Sequence, residues 1–403
     1  MKRKHDVSRR GFLKSSFIGT AGIFFTETGT GKQSGNVAGK PSIIQRRLGR
    51  TDIKLPVVSY GVMRSDNAAL VRQAYQMGFT LFDTAHGYQE GRNEVMLGEV
   101  FRDVPRKSFV MATKVSAEGV NRETGELGPG FSAESMYSRF EISLKRLGMT
   151  YVDILYFHGV SNRDTALDPR VLEIFTNLKK QGKVRYVGMS THKNEPEVIQ
   201  AAIDSNFYDV VLTAINFKQE HAEKTREKIK LAGKKGVGIV AMKTMAGGFL
   251  DKEKKQPVNC KAALKWVLRD TNVCTAIPGI VTYDQLIQNF SVMESLELTE
   301  QEETDLEQAR LVSGLYCDNC TQCIQQCRKH LPVNDMMRAY MYTYGYGQVE
   351  KAWDLLAEAA MKGNPCSDCS GCIVNCPKGF RVDTRISDVC RLTGIPRDIL
   401  SSL

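Results

Sequence analysis

No cysteine precedes Cys260 in this chain of 403 residues. All 11 lie from Cys260 onward, eight of them in two tight runs, a distribution that disulfide frameworks do not show. No apolar run reaches the roughly 20 residues that a membrane-spanning helix needs. Gly-x-Gly-x-x-Gly and Walker phosphate loops are missing as well, which excludes the glycine-rich ways of cradling a nucleotide. Charge of one sign does not dominate either. The net charge of +10 comes from 55 Lys and Arg spread among 45 Asp and Glu, a solvated surface rather than a nucleic-acid footprint. With 42% hydrophobic and 25% charged residues the composition is that of an ordinary folded protein, not a disordered one.

The N-terminus is organised. Residues 1–7 are basic, Ser8-Arg9-Arg10-Gly11-Phe12-Leu13-Lys14 follows, and 15–25 is an apolar stretch too brief to span a bilayer as a stable helix. This order resembles a bacterial twin-arginine export signal, including the Phe-Leu after the arginine pair and the closing lysine. A basic tail leading into a core helix is the alternative. No small-x-small cleavage site follows, and no cysteine is there to be lipidated. Residues 27–40, rich in Gly, Ser and Thr, read as linker. Residues 1–40 are thus expected to be signal and linker, and the protein periplasmic or otherwise exported, or cytoplasmic on the alternative.

From about residue 42 to 296, apolar runs at 57–61, 81–85, 109–115, 151–159, 184–191, 210–216, 237–244 and 273–279 alternate with amphipathic stretches. Helices are expected at 67–77, 93–101, 132–147, 170–181, 195–204, 221–234, 259–269 and 283–293. Eight strand-helix units with brief connections predict an α/β fold, a (β/α)8 barrel over 41–297, in preference to an open sheet. Barrel active sites lie at the carboxyl ends of the strands. Those ends present Asp83, Lys114, His158, Ser190, Asn216 and Lys243, and Tyr88 follows Asp83 in a loop. Chance would scatter such residues along the strands.

Phe82-Asp83-Thr84-Ala85-x-x-Tyr88, the strand end Thr113-Lys114, Tyr151-x-Asp153-x-x-x-x-His158 and the late Ile277-Pro278-Gly279 are similar, in this order, to the signatures of the aldo-keto reductase superfamily. The resemblance covers about 42–296 and implies a tetrad of Asp83, Tyr88, Lys114 and His158. That tetrad moves a hydride between a nicotinamide cofactor, NAD(H) or NADP(H), and a small carbonyl or alcohol substrate. The side chains suit the work. Carbonyl reduction needs a general acid at the carbonyl oxygen. A free phenol ionises only near about pH 10, and a buried ammonium alongside favours phenolate. Lys114 therefore assists Tyr88, Asp83 holds the ammonium, and His158 positions the carbonyl oxygen.

The resemblance also implies that Ser190 bonds the nicotinamide carboxamide, beside Thr191 where many members carry Asn. Met242 stands where an aromatic often stacks on the ring. Asn216 and Lys243 close neighbouring strands, and Lys243 is placed to reach a phosphate. A helix beginning at Thr282 has an amino end that favours an anion. Gln285 and Asn289, one turn apart, either bond adenine or stand as exposed polar residues. Members that prefer NADPH usually carry Arg or Lys in this segment; Gly279, Thr282 and Gln285 leave NADH at least as expected.

A capping-box pattern at Leu298-Thr299-Glu300-Gln301-Glu302 opens a further segment, 298–403. It holds Cys317-x-x-Cys320-x-x-Cys323-x-x-x-Cys327 and Cys366-x-x-Cys369-x-x-Cys372-x-x-x-Cys376-Pro377. This is the spacing of bacterial two-cluster ferredoxins, in which the fourth cysteine of each run ligates the other cluster. Two 4Fe-4S clusters are therefore expected, one on Cys317, Cys320, Cys323 and Cys376, the other on Cys366, Cys369, Cys372 and Cys327; two zinc sites are the alternative. Arg328 replaces the proline that usually follows the fourth cysteine, and 331–365 is helical in pattern, so the segment is expected to be a mostly helical ferredoxin-like domain. An exported barrel with these runs behind it looks like the ferredoxin-fused branch of the superfamily.

Three functional readings follow. The clusters relay electrons between the barrel and an electron-transfer partner; they are structural; or the chain is a non-catalytic redox-binding subunit. Hydride moves two electrons together whereas a cluster accepts one, and no flavin motif stands between. No nucleic-acid partner and no stable membrane span are expected, and the substrate is not legible.

Overall fold

An antiparallel hairpin, β1 (Gln45–Arg47) and β2 (Lys54–Pro56), precedes eight parallel strands in the computed structural model, which describes residues 42–121 and 125–400. The expected export signal lies outside the described residues. The strands are β3 (Tyr60–Gly61), β4 (Leu81–Asp83), β5 (Val110–Val115), β6 (Val152–Phe157), β7 (Val184–Thr191), β8 (Val210–Ala214), β9 (Gly238–Met242) and β10 (Val273–Ala276). Each pairs with the next in chain order. Parallel bridges Val58–Ala276 and Gly61–Gly279 bring the last strand back to the first and close the barrel. A Cβ on Gly61 would lie 2.5 Å from the Ile277 carbonyl oxygen, so the closure needs glycine there.

The helices between the strands cover the barrel: α1 (Ala68–Gln76), α2 (Arg92–Phe101), α3 (Ala133–Leu147), α4 (Pro169–Lys180), α5 (Glu195–Ser205), α6 (Ala222–Lys234), α7 (Cys260–Leu268) and α8 (Tyr283–Val292). Buried on both faces, the strands alternate between two apolar layers. Leu81, Ala112, Ile154, Tyr156, Val210, Leu212 and Val240 fill the interior, while Phe82, Met111, Leu155, Phe157, Val211 and Ile239 pack outward on the helices. Leu48, Ile53 and Leu55 of the hairpin join the interior layer, each worth about 1.5–3 kcal/mol when fully buried.

Gly188 on β7 makes room for the Tyr156 ring. A Cβ at 188 would meet Tyr156 Cδ1 at 2.7 Å and the Val210 carbonyl oxygen at 2.6 Å. Gly188→Ala is expected to destabilise the protein by about 1–3 kcal/mol, the usual cost of overpacking. Urea unfolding measures this, and a change below about 0.5 kcal/mol would contradict the placement of Tyr156.

The segment after the barrel is helical: α9 (Glu300–Leu311), α10 (Val333–Tyr340), a π-turn (Met341–Gly345), α11 (Val349–Glu358) and α12 (Val382–Cys390). The expected capping box forms, Thr299 and Glu302 bonding each other's backbone N–H groups. Glu302 also takes a 2.8 Å ion pair from Lys265 of α7, tying the segment to the barrel. Met336, Ala352, Leu356, Phe380 and Ile386 share one apolar core with Phe217, Ala246 and Val258 of the loops that follow β8 and β9. The segment therefore packs at the carboxyl face, where the strand-end residues gather. Ser42–Leu403 forms one compact unit.

Candidate active site

Strand parity aims the site. Residues 81, 112, 154 and 156 face the interior, so Asp83, Lys114 and His158, two or four residues further along the same strands, point the same way at the carboxyl edge. The Lys114 ammonium bonds an Asp83 carboxylate oxygen and donates to the Thr84 carbonyl at 2.7 Å. It also lies 4.9 Å from the centre of the Tyr88 ring. The His158 ring stands edge-on to Tyr88, with centroids 6.0 Å apart. Sequence placed the four together, and they converge.

The main chain holds this arrangement. His86 N donates to the Lys114 carbonyl at 3.0 Å, Tyr88 N to Ala85 at 3.0 Å and His158 N to Val115 at 2.9 Å. Gln89 and Glu90, just past Tyr88, both adopt left-handed backbone, φ 49° and 57°, at a cost on the order of 1–3 kcal/mol each. Gln89 donates to the Met63 carbonyl at 3.3 Å and Glu90 pairs with Arg397 at 2.6 Å, contacts that hold the turn. His86 leaves the site, its ring 3.2 Å from Ser143 Oγ and its carbonyl 2.9 Å from Arg146.

Burial works against the Lys114 ammonium, but the Asp83 carboxylate and the Tyr88 hydroxyl outweigh it and raise its pKa. Burial raises Asp83, with Lys114 pulling it back. Burial, then the charges of Lys114, Lys351 and Lys243, hold His158 well below its ordinary value. His158 is thus a neutral imidazole near pH 7, a hydrogen-bond donor rather than an acid. The second Asp83 oxygen, Oδ2, has no hydrogen-bond partner among the described residues.

Of the expected cofactor contacts, Ser190 Oγ accepts from Gly159 N at 3.0 Å, which leaves its O–H free to donate. Asn216 is spent on the protein: its amide donates to the Lys243 carbonyl at 3.2 Å and its oxygen accepts from Lys218 N at 3.0 Å. Lys243 turns to the C-terminal segment, 3.1 Å from Tyr342 Oη. Thr282 caps α8 by accepting from Gln285 N at 3.2 Å, and Gln285 folds back to accept from Val281 N at 2.8 Å. Asn289 lies on the buried face of the same helix with Leu286 and Val292.

A family model described as the aldo/keto reductase family matches residues 58–261, half of the chain. The chain belongs to the aldo/keto reductase family. It is an NAD(P)-dependent oxidoreductase of the aldo-keto reductase type. Among curated relatives, the L-galactose dehydrogenase of Arabidopsis thaliana is 25% identical over 307 residues, 66% of this chain and 93% of that protein. The oxidoreductase YqkF of Bacillus subtilis is 24% identical over 294 residues, 64% and 94% respectively. Among solved structures, the aldo-keto reductase AKR11C1 from Bacillus halodurans shares the fold, with TM-score 0.53 and 24% identity over 66% of this chain and 96% of that one.

In this reductase the mouth of the barrel also contains residues that sequence reading missed. The Arg338 guanidinium donates to Tyr342 Oη at 2.8 Å and reaches His192 Nδ1 at 3.3 Å. The Lys351 ammonium lies 4.6 Å from the centre of the Tyr342 ring. All but His192 come from the helical segment, more than 140 residues beyond the end of β7 in the case of Arg338. A π-turn carrying Tyr342 has no short-range sequence pattern, which is why no signal pointed there; π-turns are often found at functional sites.

The cysteine runs interleave. Burial pushes the Cys323 thiol up to about 12, and the neighbours that add to this are Cys317, Cys320 and Cys376. Burial raises Cys366 to about 11, reinforced by Cys369, Cys372 and Cys327. Cys376 of the second run thus stands near Cys323 of the first, and Cys327 of the first near Cys366 of the second. A cavity is lined by Cys327, Cys366, Cys369 and Cys372 together. Among the described residues, no three or more His, Cys, Asp or Glu side chains gather closely enough to hold a single metal ion. Cys274 and Cys390 are buried and Cys260 half-buried, as expected of packing residues. No helix among the described residues is long and apolar enough to cross a membrane.

Proposed function

We propose that this protein is an exported aldo-keto reductase that transfers hydride between a nicotinamide and a small carbonyl or alcohol, with Tyr88 as general acid and base. The observation that carries the reading is the Lys114 ammonium held between Asp83 and Tyr88, with the His158 ring against the phenol. In reduction, Tyr88 gives its proton to the carbonyl oxygen while Lys114 stabilises the phenolate left behind. Neutral His158 donates a hydrogen bond to the same oxygen and orients it. Asp83 keeps the ammonium charged and in place. The Ser190 hydroxyl and the buried Asn289 fit a nicotinamide dinucleotide; bound, it supplies or accepts the hydride. The test is transfer of deuterium from the nicotinamide ring to the product, read by mass spectrometry over a panel of aldehydes and ketones. Retention of all the label on the nicotinamide would overturn the reading.

The two cysteine sets fit 4Fe-4S clusters, which supply one-electron steps when bound. Zinc needs four donors at about 2.3 Å around one point, a tighter gathering than either set provides, whereas a cubane spreads its thiolates over separate irons. Cys317 acts electrostatically on Arg338, and Arg338 bonds Tyr342, which bonds Lys243 at the strand end. This contiguity supports the clusters as an electron relay to an external partner. The core shared with Phe217, Ala246 and Val258 favours a second reading, in which the clusters also fix the segment against the barrel. Export on the twin-arginine route suits both, because that route carries folded, cofactor-loaded protein.

A further inference from the structure

Lys243, Arg338 and Lys351 converge on Tyr342 from three directions, at 3.1 Å, 2.8 Å and, above the ring, 4.6 Å. The other titratable neighbours are Cys317 and Tyr316 beside Arg338, Tyr346, whose ring lies 5.9 Å from the Lys243 ammonium, and His158 and His192, both held well below the ordinary imidazole value by burial and by these cations. No Asp or Glu among the described residues pairs with any of the three cations. Arg338 and Tyr342 are 6% and 2% exposed, so this charge stands largely out of water. Lys243, Lys351, His158 and His192 each retain some accessible surface, so the group lines a crevice rather than a sealed core.

Uncompensated buried charge is costly. Of the three cations Cys317 faces Arg338 alone, and the phenol offsets only part of the charge of the other two: burial works against its ionisation, but Arg338, Lys243 and Lys351 outweigh that and hold Tyr342 well below the usual phenol range. Burial and the neighbouring cations bring Lys243 down to about 8. The rest of the positive charge calls for an anion from outside, and the Arg338 fork suits a planar one such as carboxylate. Its position says whose. The charges of Lys243 and Lys351 reach His158, whose ring packs on Tyr88, so the anion belongs to the molecule being reduced.

We propose that Lys243, Arg338, Lys351 and Tyr342 form a carboxylate site that selects substrates bearing an acid group close to the reacting carbon, such as 2-oxo and 2-hydroxy acids. The proposal rests on the hydride-transfer reading above for what is meant by the reacting end. It assigns the C-terminal segment a share in substrate choice.

Calorimetric titration of the full-length protein with oxamate, and with its uncharged counterpart oxamide, tests this with and without saturating NADH. Oxamate is expected to bind at least about tenfold tighter than oxamide. Arg338→Met and, as a less buried change, Lys351→Met should each lose about tenfold or more in oxamate affinity while NADH affinity stays within about twofold. Equal binding of oxamate and oxamide would overturn the site. So would variants that lose NADH rather than oxamate, since the cations would then hold the cofactor's diphosphate. Oxamate binding that survives in protein unable to bind either NADH or NADPH would sink the hydride reading and leave the carboxylate site standing.

Discussion

Tyr88→Phe is expected to lower kcat by about 10²–10⁴-fold, the range that a general acid supplies, with little change in NADH or NADPH affinity. The substitution removes one oxygen and keeps the ring that packs edge-on with His158 at 6.0 Å, so folding is not at issue. Lys114→Met is the weaker test. It strands a carboxylate that is 2% exposed and has no other cation among the described residues, and breaking a buried pair costs about 3–5 kcal/mol by itself. A loss of activity in that variant would mix chemistry with stability. Steady-state turnover with the carbonyl panel measures the Tyr88→Phe effect, and activity within about twofold of wild type would leave Tyr88 without the role assigned to it and favour a non-catalytic redox-binding subunit.

The second large effect concerns the cysteines. Cys327→Ser is expected to remove about half of the bound iron, and the half removed is the same one that Cys366→Ser removes. Cys323→Ser and Cys376→Ser should share the loss of the other half. The reason is spatial: Cys327 lines a cavity with Cys366, Cys369 and Cys372, although its neighbours along the chain are Cys320 and Cys323. Iron and sulfide content with electron paramagnetic resonance of the reduced variants separates the two. Cys327→Ser and Cys323→Ser depleting the same cluster would contradict the crossed assignment, and bound zinc in place of iron would contradict the clusters altogether.

Much of this was legible because the barrel repeats. Each strand is a short apolar run closed by a polar residue, and each helix an amphipathic one, so all eight units can be counted and β7 matches its expected range of 184–191 to the residue. The tetrad was legible for the same reason, since parity and strand ends place Asp83, Lys114 and His158 on one rim. The β1–β2 hairpin was missed, its strands being three residues each, too short for an alternating pattern. Lys243 and Asn216 were expected to face a nucleotide; their partners prove to be Tyr342, Lys218 and the Lys243 carbonyl. Pairings of that kind depend on how a distant helical segment docks, which local periodicity does not encode. The cysteine runs are the converse case, in which fixed spacing alone anticipated neighbours far apart in the chain, Cys327 with Cys366 and Cys323 with Cys376.

The most direct measurement is the visible spectrum of anaerobically purified protein before and after addition of NADH, and separately of NADPH. Bleaching of the cluster absorption by one of them is expected, and the more effective of the two is the preferred cofactor. Clusters that are intact and keep their full absorption with both nucleotides would contradict an electron path from the nicotinamide to the iron.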